Sequence, residues 1–179
     1  MFSLDQMLNV ELLIKDKRKY GTANIFGFIA YSDRNPYIVK VLKDKDFWNS
    51  LNARTEGWIL YAIKPDSKYY GGGNADYINR SLGLEPNGYP ELVILSIGSN
   101  RVMMQRNYPI SDDSVDDAYK SIERQINTVT AAVKKIYPEY RSSTNVSREV
   151  IKALDAELGS GRWKVVAKEL VSIISLLFI

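Results

Sequence analysis

Neither cysteine nor histidine occurs in the 179 residues of this chain. Without a thiol there is no disulfide, no thiolate nucleophile and no thiol–disulfide exchange. Without imidazole the chain lacks the side chain whose ordinary pKa lies nearest neutrality, and with it the usual general base; the commonest zinc and haem ligands are missing as well. Charge of one sign is also in short supply: 24 basic and 21 acidic residues leave +3, too little to point to nucleic acid, and none is expected as a partner. No apolar run reaches the roughly 20 residues that span a bilayer. The best candidate, Val171 to Ile179, is preceded by Arg162, Lys164, Lys168 and Glu169, so no transmembrane segment is expected. Met1 to Ile14 carries Asp5 and Glu11 and no basic n-region, which does not read as a secretory signal and makes the expected location cytoplasmic.

What is present is an ordinary globular composition, 45% apolar and 25% charged, with no low-complexity tract. Val10 to Ile14 and Asn24 to Tyr31 are apolar-rich runs on either side of a basic, glycine-containing stretch and predict an N-terminal β-hairpin. Tyr37 to Leu42 is a β-branched run and predicts a strand. Phe47, Trp48 and Leu51 predict one face of a short helix from Asp46 to Arg54, closed by Gly57. Trp58 to Ile63 and Leu92 to Leu95 are continuously apolar, as strands covered on both faces are, and predict central strands. Val102 to Arg106, more polar, predicts a short edge strand.

The strongest helical signal runs from Ser111, a candidate N-cap, to Pro138. Val115, Ala118, Tyr119, Ile122, Ile126, Val129, Val133 and Ile136 recur at helical spacing and predict one buried stripe, with Lys134 and Lys135 in the last turn. Val146 to Leu158 and Arg162 to Phe178 then predict two helices joined at Gly159-Ser160-Gly161. The expected organisation is an α/β domain over residues 1–140 and a C-terminal helical hairpin over 141–179, packed on that domain or used as an interface.

From Pro36 onward the predicted order is strand, helix, strand, short helix, strand, strand, long helix, and Pro90 opens the strand before the final hairpin and helix. Over Pro36 to Tyr137 this order, with Tyr89-Pro90-Glu91-Leu92, resembles the thioredoxin-like fold, in which a cis proline stands at the position of Pro90. The resemblance implies a mixed sheet flanked by helices. It places the family's Cys-X-X-Cys pair after the Tyr37 to Leu42 strand, near Lys43 to Phe47, where this chain has no cysteine. It therefore implies a redox-inactive member, and such members are typically binding or scaffolding modules.

Three groups of residues could carry a function. Tyr69, Tyr70, Gly71, Gly72, Gly73 and Asn74 precede a helical stretch, so their backbone amides could cradle a small anion or nucleotide, with the two tyrosines stacking on it and Pro90 counted among the ligand-binding residues; they match neither a P-loop nor a dinucleotide fingerprint. Asp112, Asp113, Asp116 and Asp117 form two i, i+4 pairs if all four lie on the helix, close enough to share magnesium or calcium; acidic residues are equally favoured there by the helix dipole. Trp163, Leu170, Ile173, Ile174, Leu177 and Phe178 could form an interface with a protein partner or a second copy. The function expected is a non-catalytic binding or scaffold protein, engaging another protein through the Tyr/Gly loop or the C-terminal helices, with no cofactor and with homo-oligomerisation as one form of the interaction. The alternatives are a carboxylate-dependent divalent-metal enzyme or metal-binding protein, and a small-anion or nucleotide binder at the Gly-rich loop.

Overall fold

The computed structural model describes residues 25–63, 90–98, 101–136 and 143–159. Among these residues four strands and four helices follow in the order β1 (Ile25–Ala30), α1 (Pro36–Lys43), α2 (Lys45–Arg54), β2 (Ile59–Ile63), β3 (Glu91–Gly98), β4 (Arg101–Pro109), α3 (Val115–Ile136) and α4 (Ser143–Leu158). The fold is mixed α/β, with one sheet in the order β2-β1-β3-β4. β1 runs parallel to β2, from Phe26 opposite Ile59 to Ala30 opposite Ile63, and antiparallel to β3, from Ile25 opposite Ser96 to Ala30 opposite Glu91. β3 and β4 pair antiparallel.

Tyr37 to Leu42, expected as a strand, is helical. Ile38, Val41 and Leu42 fall at i, i+3 and i+4 and are buried, and Pro36 stands in the first turn, where its fixed φ suits a helix and its missing N–H costs nothing. Periodicity therefore outweighs the β-branched composition. Asp44 ends α1 and starts α2, its Oδ1 accepting the backbone N–H groups of Asp46 and Phe47 at 3.0 Å each. The helix expected from Asp46 to Arg54 is α2. Gly57 follows it with φ of +87°, a left-handed turn that favours glycine.

The strand at the start of the parallel pair is thus β1, within the segment expected as half of a hairpin. Both of its edges are occupied, by β2 and by β3, from Phe26 to Ala30. The expected hairpin partner, residues 10–14, lies outside the described residues. β2, expected to be central, has a neighbour on one side only among the described residues, whereas β3 is central as expected. Among the described residues β4 does end the sheet, but it is nine residues long and its polar residues Gln105, Arg106 and Asn107 are buried.

Side chains alternate across the sheet. Ile25, Ile29, Leu92, Ile94 and Tyr108 face a core shared with all four helices, while Phe26, Phe28, Val93 and Leu95 on the opposite face are buried too. Gly27 keeps the helix side of β1 flat: a Cβ there would stand 2.5 Å from Trp58 Cζ3. That indole cannot easily retreat, because its Nε1 donates to Thr130 Oγ1 (2.9 Å), and Thr130 donates in turn to the carbonyl of Arg54 (2.9 Å) at the end of α2.

α3, at about 1.5 Å per residue, crosses the whole face in about 33 Å. Its buried stripe follows the expected spacing, except that Tyr119 is exposed and packs its ring 4.2 Å from that of Phe47. α4 belongs to the same core through Val150, Ile151 and Leu154. The second helix expected in the C-terminal pair, 162–178, is outside the described residues. Among the described residues no helix is long and apolar enough to cross a membrane.

Candidate functional site

The C-terminal ends of β1 and β4, the N-terminal end of β3 and the start of α1 meet at one end of the sheet. In open α/β sheets this end, beyond the carboxyl ends of the parallel strands, is where ligands bind. Tyr31 to Asn35 turn the chain from β1 into α1. Asn35 Oδ1 accepts from the backbone N–H of Ser32 (2.9 Å) and from the Ser32 hydroxyl (3.2 Å), while Ser32 Oγ accepts from the N–H of Arg34 (3.1 Å). The Ser32 carbonyl accepts the N–H of Asn35 at 3.1 Å. Ser32 and Asn35 are both buried.

Asp112 reaches this site from the β4–α3 connection, its Oδ1 accepting the backbone N–H of Ile38 at 2.8 Å. A carboxylate at this point satisfies one of the unpaired donors of the first turn of α1 and meets the positive end of its dipole. Pro90 is buried, directly before the Glu91 that pairs with Ala30, and its carbonyl accepts the N–H of Ile110 at 2.9 Å. Pro90 thus stands beside the β1–α1 turn. The peptide bond before it involves Tyr89, outside the described residues.

The four aspartates do not form the cluster their spacing suggests. Ser114, not Ser111, caps α3: its Oγ accepts the N–H of Asp117 (3.1 Å) and donates to the Asp117 carboxylate (2.6 Å). The helix therefore starts at Val115, and Asp112 and Asp113 precede it, outside the i, i+4 geometry. Each carboxylate has its own protein donor: Asp112 the amide of Ile38, Asp113 the hydroxyl of Ser111, Asp116 the ammonium of Lys120, Asp117 the hydroxyl of Ser114. Among the described residues no group of three or more acidic side chains could hold a metal ion. Asp116 raises the pKa of Lys120 by hydrogen bond and charge, as an exposed ion pair does.

Tyr69, Tyr70, Gly71, Gly72, Gly73 and Asn74 lie outside the described residues, as do Trp163, Leu170, Ile173, Ile174, Leu177 and Phe178. The connection that holds the first group leaves β2 after Ile63 and re-enters the sheet at Pro90. Because β1 and β2 are parallel and β3 antiparallel, both of these points are at the Ser32–Asn35 end.

Three buried polar features were not singled out by sequence reasoning. Arg106, 2% exposed, forms an ion pair with Asp155 of α4 at 3.2 Å, and the Tyr108 hydroxyl donates to the same carboxylate at 3.0 Å. Burial pushes the Tyr108 phenol well above its ordinary pKa, the hydrogen bond and charge of Asp155 push it further, and Arg106 opposes them. On the other face, Gln105 Nε2 donates to Asn107 Oδ1 and Asn107 Nδ2 donates to Glu91 Oε2, both at 3.0 Å. The third is Gln125, buried within the stripe of α3, whose Nε2 holds the Pro109 carbonyl at 2.6 Å. The only signal for these in the sequence was the presence of polar residues at positions where strand alternation or helical spacing points inward.

A serine nucleophile needs a base to take its proton, and Ser32 donates to an amide oxygen, which is no base. The helix terminus that could attract an anion already holds Asp112. What the site presents outward is the turn at Asp33 and Arg34, Pro36, and the ring of Tyr37, 40% exposed. Comparison of the chain with protein-family models, with curated proteins and with solved structures gives no match in any of the three.

Proposed function

We propose that this chain is a non-catalytic binding or scaffold protein on a thioredoxin-like sheet, and that it engages another protein, or a second copy, at the sheet end around Ser32 and Asn35. The strand order β2-β1-β3-β4, with one parallel pair and two antiparallel ones, supports the family resemblance once β1 takes the place first given to Tyr37–Leu42. In the family the Cys-X-X-Cys pair follows that first strand. The stretch that corresponds here is Ser32-Asp33-Arg34-Asn35, with Ser32 and Asn35 at the cysteine spacing and Pro90 beside them.

The observation that carries the proposal is the hydrogen-bond circuit at this point. Ser32 and Asn35 bond to one another and Asp112 caps the helix, so the residues at the family's reactive positions are held in one shape and are a serine and an amide without thiol chemistry. Tyr37 supports a binding role: it is one of two large apolar side chains exposed among the described residues, and tyrosine is enriched at protein interfaces.

The test is the mass of the protein isolated under native conditions from the cells that make it, by light scattering and native mass spectrometry. The expected result is a complex with one discrete polypeptide, or a multiple of the chain mass. A lone chain at every concentration, with no accompanying polypeptide, would overturn the proposal.

A further inference from the structure

A cleft of about 560 Å³ opens between the end of β4, the first half of α3 and the last turn of α4. Its size falls within the range of small-molecule sites. One wall is a face of α3 that carries Lys120, Ser121, Arg124 and Gln125; Leu158 adds an apolar edge and Asp113 closes the rim. Arg124 is held in place because its Nη2 donates to the Glu157 carbonyl at 3.3 Å in the last turn of α4. It has no carboxylate partner among the described residues, whereas Lys120, one turn earlier, has Asp116. Ser121 Oγ accepts the N–H of Ser111 at 3.1 Å, which leaves its own proton to donate.

Gln125 supplies an independent observation. It is 6% exposed, its Nε2 is committed to Pro109, and its Oε1 has no hydrogen-bond partner among the described residues. A buried acceptor without a donor costs stability, and a ligand donor arriving in the cleft would remove that cost.

We propose that this cleft binds a small molecule that carries an oxyanion, a phosphate or carboxylate, next to a hydroxyl. Arg124 and Lys120 hold the oxyanion with the proton of Ser121, since charge-assisted contacts of this kind are the strong ones. The Gln125 amide oxygen accepts the proton of the hydroxyl, and the Asp113 carboxylate stands at the rim. This site does not depend on the protein-binding proposal, because none of its contacts uses Ser32, Asn35 or Tyr37.

The experiment is a titration of the full chain, followed by amide NMR at constant ionic strength, with glycerol 3-phosphate as probe and inorganic phosphate and glycerol as comparisons. Saturable shifts confined to Ser111, Ser121, Arg124 and their neighbours are expected, with glycerol 3-phosphate the tightest of the three. Arg124→Gln should weaken it about tenfold, the scale of one lost charge-assisted contact. Lys120→Gln should weaken it by less, and Lys135→Gln, at the far end of the same helix, should leave it unchanged. Linear or scattered shifts would overturn the proposal, as would equal affinity in Arg124→Gln. Equal affinity for inorganic phosphate would overturn the hydroxyl half of it. Arg124 and Lys120 are both exposed, so their replacement leaves the core intact and the folded spectrum checks this directly.

Discussion

Tyr108, almost fully buried at the end of β4, shows how one side chain links packing to pH. Its hydroxyl donates to Asp155, which also pairs with Arg106, so one carboxylate of α4 serves two groups of the sheet edge. Burial and Asp155 keep the phenol protonated in the folded chain well beyond the pH at which an unfolded tyrosine ionises, about 10. Above that pH the unfolded chain loses a proton that the folded chain keeps, so the stability from this group is complete below about pH 10 and declines as pH rises. Tyr108→Phe should cost about 1–2 kcal/mol at neutral pH, the loss of a hydrogen bond to a charged group. It should also flatten the decline in urea stability above pH 10, whereas an unchanged slope would assign that decline to other tyrosines. Nothing in the local sequence marks this pair. Tyr108 and Asp155 are 47 positions apart, and only the docking of α4 on β4 brings them together.

Among the elements, legibility followed the length of the periodic signal. The 22 residues of α3 give a repeated apolar spacing that survives one exception, Tyr119, and the sequence predicts the helix along its length except at its N-terminus. The eight residues of α1 give only two turns, and the β-branched side chains of Ile38, Val39 and Val41 resemble a strand as closely as a helix. Pro36 was the available clue. The N-cap of α3 was misread by three residues because Ser111 and Ser114 are both acceptable caps in sequence; the choice depends on Asp112, which is drawn away to Ile38, 74 positions distant. That contact also decides the fate of the aspartate group, since it takes Asp112 out of the helix. Asp112→Ala should destabilise the chain by about 1–2 kcal/mol in chemical denaturation, and speed amide exchange at Ile38, through loss of the cap on α1. Asp112→Asn, which keeps an acceptor oxygen, should cost less. Equal losses in the two variants would show that charge, and not the hydrogen bond, is what α1 requires.

At the scale of the molecule, the sequence was enough for the mixed α/β class, the antiparallel β3–β4 hairpin and the long helix that follows it. The parallel partner of β2 is β1 and not the Tyr37–Leu42 segment, which is helical. This matters for the proposed site, because it moves attention from the exposed start of α2 to a turn whose Ser32 and Asn35 are buried and bonded to one another, beside the α1 terminus that Asp112 caps. The cleft at Arg124 could not be read at all: its walls come from β4, α3 and α4, and no short window of sequence contains them. The central claim is that the sheet end around Ser32, Asn35 and Tyr37 is a protein-binding surface without chemistry of its own. Its most direct test is photo-crosslinking in the cells that make the protein, with a photoreactive benzoylphenylalanine in place of Tyr37 and, as a control, in place of Lys152 on the exposed side of α4. The account predicts a discrete covalent adduct, to one polypeptide or to a second copy, from position 37 and none from position 152. No adduct from position 37, or equal adducts from both positions, would contradict it.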